Sequence, residues 1–277
     1  MMTRHVFSQV DVFTDTPLLG NPLAVVHGAD ALSDAQMQAL ARWTNLSETS
    51  FLLRPTDPAA DYRVRIFTPS RELPFAGHPT LGSCHAWLAA GGQARAAAVV
   101  QQCGVGLVRI RRDGPQLAFA APPLRRSGAV EDDVLAHMAR ALRIDPGAVR
   151  ASQWVDNGPG WVAVMLASRE QVLALQPDFV AMRGLALGVV APWSGGDAQF
   201  EVRAFIADAA GYEDPVTGSL NAGLAQWLIG AGLAPPRYVA SQGTALQRAG
   251  RVHVQALGAD IWVGGHSVTC VQGEITL

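Results

Sequence analysis

Phe67-Thr68-Pro69-Ser70-Arg71-Glu72-Leu73-Pro74-Phe75-Ala76-Gly77-His78-Pro79-Thr80-Leu81-Gly82-Ser83, running on into Cys84-His85-Ala86-Trp87-Leu88, decides the fold because a second version of it occurs later in the chain. At an offset of 136, His78-Pro79-Thr80-Leu81-Gly82-Ser83 falls on Asp214-Pro215-Val216-Thr217-Gly218-Ser219. Pro79/Pro215, Gly82/Gly218, Ser83/Ser219, Ala86/Ala222 and Leu88/Leu224 are identical, more than unrelated segments share. Upstream, Val64-Arg65-Ile66-Phe67 matches Val202-Arg203-Ala204-Phe205 at 138, and downstream Trp87-Leu88 matches Trp227-Leu228 at 140. The slip of four within the later segment is about one helical turn, so the apolar face stays in phase. Each version reads as strand, loop, Gly-Ser turn and helix, with helices predicted over residues 80–90 and 217–229.

Outward from this stretch, residues 6–13 alternate around Gln9 and Asp11 as a strand and turn through Gly20-Asn21-Pro22 into a second strand at 23–27. Ser33 offers an N-cap, and Met37, Leu40 and Ala41 predict an amphipathic helix over 34–43. The polar loop Asn45-Leu46-Ser47-Glu48 then meets an apolar strand, and Tyr62, Val64 and Ile66 alternate with Arg63 and Arg65 in another. Short strands at 99–103, 106–111 and 116–120 precede a linker at 121–128. The second half repeats the order: a helix at 131–142, acidic at its start and basic at its end, strands at 161–166, 189–193 and 199–206, a helix at 169–175, the repeated helix, and strands from 237 to 277. The economical architecture is α+β: two pseudo-symmetric halves, each a curled, mainly antiparallel sheet around a helix that is apolar on nearly all sides.

A chain of 277 residues suits two domains, and 49% apolar against 16% charged residues means that it is folded throughout. A net charge of −2 with scattered arginines gives no reason to expect nucleic acid or a membrane as partner; the densest group, Arg109, Arg111 and Arg112, reads as a solvated strand face. Cys84, Cys103 and Cys270 are odd in number and lack C-x-x-C spacing, which argues against a disulfide framework and a structural zinc site and fits a reducing compartment. The N-terminal residues turn polar at Ser8, Gln9 and Asp11, and the longest apolar run, 185–193, is far short of the roughly 20 residues that span a bilayer. A soluble, cytoplasmic protein is expected. No H-E-x-x-H or P-loop occurs, Gly104-Val105-Gly106 is only a fragment of a dinucleotide fingerprint, and Ser219 lacks a G-x-S-x-G elbow. Neither metal nor cofactor is expected.

Gly82-Ser83 and Gly218-Ser219, placed at helix starts, would each present free backbone N–H groups and a positive dipole end, favouring an anion by about 0.3–1 kcal/mol. Either pair alone is equally compatible with an ordinary cap; two at matched positions would hold a carboxylate. The versions differ where His78 falls on Asp214, and the Glu48 loop has no acidic counterpart near Gly158-Pro159-Gly160. Glu48 lies where a polar loop meets an apolar strand, a setting in which lost hydration favours proton exchange near neutral pH, although a capping or surface glutamate fits the local sequence as well.

Several motifs together resemble the PhzF-like family of the diaminopimelate epimerase fold group. They are Val10-Asp11-Val12-Phe13, Gly20-Asn21-Pro22-Leu23-Ala24-Val25, Asn45-Leu46-Ser47-Glu48-Thr49-Ser50-Phe51, Glu72-Leu73-Pro74-Phe75-Ala76-Gly77-His78-Pro79-Thr80, Glu213-Asp214-Pro215-Val216-Thr217-Gly218-Ser219, Ser241-Gln242-Gly243 and Val263-Gly264-Gly265. The resemblance implies an active site in the cleft between the halves, a last strand that returns to the first half, and a homodimer. With that return, residues 1–121 plus 265–277 form one half and 122–264 the other. In the family's isomerase, which rearranges trans-2,3-dihydro-3-hydroxyanthranilate, the glutamate matching Glu48 moves a proton between two carbons without metal or cofactor. The matches to His78, Asp214 and Ser219 line that site, and Gly77 and Gly218 would offer backbone N–H groups to the substrate. Relatives that epimerise amino acids carry a cysteine at each helix start, whereas those positions here hold His78 and Asp214.

The leading expectation is thus a cofactor-independent isomerase of a small carboxylate: Glu48 as acid and base, His78 and Asp214 on the substrate's polar groups, and Gly77, Gly82, Ser83, Gly218 and Ser219 as binding residues. Two alternatives stand beside it: an epimerase pairing Glu48 with Asp214, and a non-catalytic small-acid binding protein.

Overall fold

The N-terminal hairpin forms as β1 (Arg4–Val12) and β2 (Asn21–Val26), antiparallel with Val10 opposite Leu23. Ser33 and Gln36 make a reciprocal capping box that starts α1 (Asp34–Thr44), and Asn45 ends it in the left-handed conformation. This crossover lets β3 (Thr49–Leu53) run parallel to β2, after which β4 (Tyr62–Phe67) pairs antiparallel with β3 and with the short β5 (Glu72–Leu73). Helix α2 (Gly77–Ala89) crosses to β6 (Val99–Cys103), parallel to β4, and β7 (Gly106–Asp113) and β8 (Gln116–Ala120) follow as antiparallel neighbours.

The second half repeats this order. After β9 (Arg126–Gly128) and α3 (Asp132–Leu142), β10 (Ala151–Asp156) pairs with β9 and with β11 (Trp161–Met165). Helix α4 (Arg169–Ala174) crosses to β12 (Ala186–Pro192), parallel to β11, and β13 (Phe200–Ile206) and β14 (Tyr212–Asp214) continue antiparallel. Helix α5 (Gly218–Gly230) leads to β15 (Arg237–Gln242), parallel to β13, then β16 (Gly250–Leu257) and β17 (Asp260–Gly265). The last strand, β18 (Ser267–Thr276), pairs with β1. This computed structural model describes residues 3–207 and 211–277. It divides into two units, Met1–Ala120 with Gly264–Leu277, and Ala121–Val263.

In each unit the long helix is buried almost all round, while shorter helices cover the other face of the sheet. Met37, Leu40 and Ala41 of α1 pack with Val26, Phe51 and Phe67; Met138, Leu142 and Val172 of α3 and α4 pack with Val162, Val164, Leu187 and Phe205. Strands covered on both faces are continuously apolar, which is why 161–165 shows no alternation. Arg65 grips Glu72 through two bonds of 2.8 and 2.6 Å and Arg203 grips Glu213 at 2.9 and 2.7 Å. The two guanidinium groups sit 5.1 and 4.9 Å from the rings of Phe67 and Phe205. The duplicated Val-Arg-x-Phe motif is therefore one packing device used twice.

The helix frame differs from the expected one. Both long helices begin at a glycine, Gly77 after Ala76 and Gly218 after Thr217, so the structural offset is 141. Four residues separate Phe67 from Glu72 and seven separate Phe205 from Glu213, which moves the later helix three positions beyond the strand offset of 138. His78 therefore corresponds to Ser219, Leu73 to Asp214, and Gly82 to Gly223. Gly82 and Ser83 are not at a helix start. They lie in the second turn of α2, where the backbone N–H groups are spent on the helix ladder. Gly82 serves packing instead: a Cβ there would stand 2.6 Å from Leu23 Cδ2 and 2.8 Å from Val12 Cγ2, and one on Gly223 would stand 2.3 Å from the Val155 carbonyl oxygen. Ser83 is wholly buried in the same turn, its hydroxyl without a hydrogen-bond partner.

Candidate active site

In the first unit three loops converge on one imidazole. The β1–β2 turn folds back tightly because Gly20 has no side chain, a Cβ there meeting the Val12 carbonyl oxygen at 2.2 Å, and because buried Asp11 accepts the Gly20 N–H at 2.9 Å. This sets Asn21 and Pro22 against His78, the second residue of α2. The α1–β3 loop is pinned across its base by the Thr44 and Thr49 hydroxyls, 2.9 Å apart, and delivers Glu48. His78 Nδ1 lies 3.4 Å from Glu48 Oε2 and 3.5 Å from Asn21 Nδ2, and the Pro22 carbonyl accepts a hydrogen bond from the ring. The His78 and Glu48 side chains are only 4% and 15% exposed.

Burial pushes the His78 pKa down to about 3, with the Pro22 carbonyl pulling the other way, so the ring is neutral near pH 7. The contact with Glu48 is thus one between a carboxyl group and a neutral imidazole, not between two full charges. His78 Nε2 is buried and has no hydrogen-bond partner in the protein. Gly77, beside it, opens the helix, and its N–H belongs to the first turn, which has no intrahelical acceptor.

In the second unit Asp214 ends β14 and Thr217 precedes α5. The Thr217 hydroxyl donates to Asp214 Oδ2 at 2.5 Å, and Gln242, at the end of β15, reaches both residues. Gly218 and Ser219 form the first turn of α5. The Ser219 hydroxyl oxygen accepts the Trp161 indole N–H at 2.9 Å, and its carbonyl accepts from Asn157 Nδ2 at 2.8 Å. Since an indole N–H only donates, Ser219 keeps its own hydroxyl proton for another acceptor.

Glu48 and His78 are thus brought together, and Asp214, Gly218 and Ser219 fall within one turn of chain. Asn21, Thr217, Trp161 and Gln242 take part without having been singled out. Asn21, Thr217 and Gln242 lie within the motifs quoted above, and Gln242 carries a second signal, since Gln101 and Gln242 share the helix offset of 141 and each touches the first turns of a long helix. Burial drives the Cys84 thiol up to about 12, so it is no thiolate at neutral pH. Among the described residues no group of three or more His, Cys, Asp or Glu is disposed to hold a metal ion, and no helix is long and apolar enough to cross a membrane.

Residues 10–273 match the model of the PhzC-PhzF family, described as phenazine biosynthesis-like protein. The chain is 36% identical to antisense-enhancing sequence 1 of Schizosaccharomyces pombe, over 99% of each chain. It is 33% identical to the trans-2,3-dihydro-3-hydroxyanthranilate isomerase of Pseudomonas fluorescens, over 99% of this chain and 100% of the relative. The crystal structure of a phenazine biosynthesis protein of the PhzF family from Enterococcus faecalis superposes with a TM-score of 0.82 at 26% identity, covering 99% and 100% of the two chains.

Proposed function

The chain belongs to the PhzC-PhzF family and is an isomerase, and from that premise we propose that Glu48 alone moves a proton between two carbons of a small carboxylate substrate, without metal or cofactor. The observation that carries this reading is the pairing of half-buried Glu48 with a buried, neutral His78, 3.4 Å apart. A neutral imidazole cannot supply a positive charge, but it holds a carboxyl oxygen in place and offers Nε2 to a hydroxyl or amine of the substrate.

In this scheme the Glu48 carboxylate removes a C–H proton next to an unsaturated system, the electron pair spreads through that system, and the same carboxyl group returns the proton to another carbon. A positioned base supplies on the order of 10²–10⁴ in rate. Ser219 donates its hydroxyl proton to a substrate oxygen, Asp214 accepts from polar hydrogens, and the N–H groups of Gly77 and Gly218, each at the start of its own unit's long helix, are suited to anionic groups. The substrate class is a cyclic, unsaturated small acid such as trans-2,3-dihydro-3-hydroxyanthranilate, named in the relatives.

Incubating the protein with trans-2,3-dihydro-3-hydroxyanthranilate in deuterated water, and the Glu48→Gln variant beside it, tests the scheme. The wild type is expected to place one deuterium on a product carbon, and Glu48→Gln to lose turnover while melting at an unchanged temperature. Wild-type turnover by Glu48→Gln would refute the single-glutamate mechanism.

A further inference from the structure

A buried hydrogen-bond relay ends on Asp214, and its direction is set by the Thr217 backbone N–H and the Asn221 side chain. Gln242 Oε1 receives two donors, the Thr217 backbone N–H at 3.0 Å and Asn221 Nδ2 at 2.8 Å. An amide oxygen only accepts, so these two contacts fix which way the Gln242 amide faces. Its NH₂ group must then point the other way, and there it meets Thr217 Oγ1 at 3.0 Å and the Asp214 carbonyl at 3.1 Å. Thr217 Oγ1, already accepting from Gln242, has a single proton left to give, and Asp214 Oδ2 lies 2.5 Å away. Asn221 is itself oriented by donating to the Thr217 carbonyl at 2.9 Å. Asp214, Thr217, Asn221 and Gln242 are all buried, so water is poorly placed to replace any member.

The first unit shows what the relay adds. Gln101 occupies the position of Gln242, donates to Thr80 Oγ1 at 3.1 Å and accepts from the Tyr62 hydroxyl at 2.8 Å. It too braces the start of a long helix. Leu73, however, stands where the second unit has Asp214, each opposite the corresponding residue of the preceding strand, Ile66 or Ala204. Thr217 also forgoes the usual duty of a residue before a helix, its side chain capping no backbone N–H of α5.

We infer that Thr217 is a positioning residue for Asp214, holding Oδ2 as a hydrogen-bond acceptor in a fixed orientation, and that Gln242 sets the direction of the Thr217 proton. The relay stands on geometry alone; its bearing on turnover rests on the role proposed above for Asp214.

The test follows the Asp214 carboxyl carbon through a pH titration by ¹³C NMR in the wild type, Thr217→Val, Thr217→Ser and Gln242→Glu, with kcat and KM for trans-2,3-dihydro-3-hydroxyanthranilate measured in parallel. Thr217→Val keeps the backbone contact to Gln242 but removes the hydroxyl both as donor to Asp214 and as acceptor from Gln242, so the Asp214 midpoint is expected to rise by about one pH unit, a tenfold change in proton affinity. Thr217→Ser should restore the wild-type midpoint. Gln242→Glu, which turns the Thr217 proton toward the new carboxylate, should raise it at least as far, and adding Thr217→Val to it should change little more. An unmoved midpoint in Thr217→Val, an equal shift in Thr217→Ser, or simple additivity in the double variant overturns the relay. A shifted midpoint with unchanged kcat upholds the relay and removes Asp214 from the chemistry.

Discussion

Replacing His78 by Gln should flatten the acid limb of the stability curve, and its size follows from the burial of the ring. The folded imidazole has its pKa lowered from 6.5 to about 3. Between those values the unfolded chain takes up a proton that the folded chain refuses, so stability is lost as pH falls through this window. Integrating the two titrations from pH 7 gives a loss of roughly 1 kcal/mol at pH 5.5 and roughly 2–3 kcal/mol at pH 4.5 from this one group. Urea unfolding of wild type and His78→Gln at pH 7, 5.5 and 4.5 follows it, and repeating the pair in a Glu48→Gln background removes the neighbouring carboxyl group from the comparison. The stability gap between the two proteins should change by those amounts in favour of the variant as the solution is acidified. A gap that stays constant to within about 0.5 kcal/mol would mean that the ring is solvated or charged in the folded state, and the neutral-imidazole reading of the site would fall with it.

Three further outcomes are expected. Gly223→Ala should lower stability by about 2–3 kcal/mol, since its Cβ meets the Val155 backbone oxygen, whereas Gly82→Ala, which meets only side chains of Leu23 and Val12, should cost about 1 kcal/mol; thermal melts order the two. Arg203→Met should cost about 3–5 kcal/mol in urea unfolding because Glu213 is left buried and uncompensated, against about 1 kcal/mol for Arg65→Met, whose carboxylate partners reach solvent. Trp161→Phe, which removes the N–H bound by Ser219, should raise KM about 2–10-fold at an unchanged melting temperature.

The duplicated architecture was legible because burial leaves a strong mark: a helix enclosed by a sheet is apolar all round, and two such helices with the same preceding strand motif imply two like halves. The helix frame was not legible, for a physical reason. Neither long helix is announced by a capping side chain, Ala76 having none to offer and Thr217 turning its hydroxyl to Asp214 instead. The shared Pro and Gly-Ser residues then aligned positions that are not equivalent, with Pro79 inside its helix and Pro215 before its own. Glu48 stood out through its loop-to-strand setting, and the structure gives it His78 as neighbour. Asn21 had no such local mark, and Gln242 was marked only by its match to Gln101 in the repeat, because their partners come from elements 57 and 21–28 residues away. A polar residue at a strand end looks alike whether it faces water or closes a buried network.

The pairing of β18 with β1 also governs the order in which the chain becomes functional during synthesis. Thr3 and Leu277 exchange backbone hydrogen bonds of 2.8 and 3.0 Å, so β1 waits for β18, which is made much later. The second unit is one continuous segment and is ready to fold while translation is still under way. The first, which holds Glu48 and His78, reaches its full sheet only once residues 267–276 have left the ribosome. A ribosome that stalls just before residue 267 therefore holds a chain whose second unit has all of its residues and whose first unit, with Glu48 and His78, lacks its edge strand.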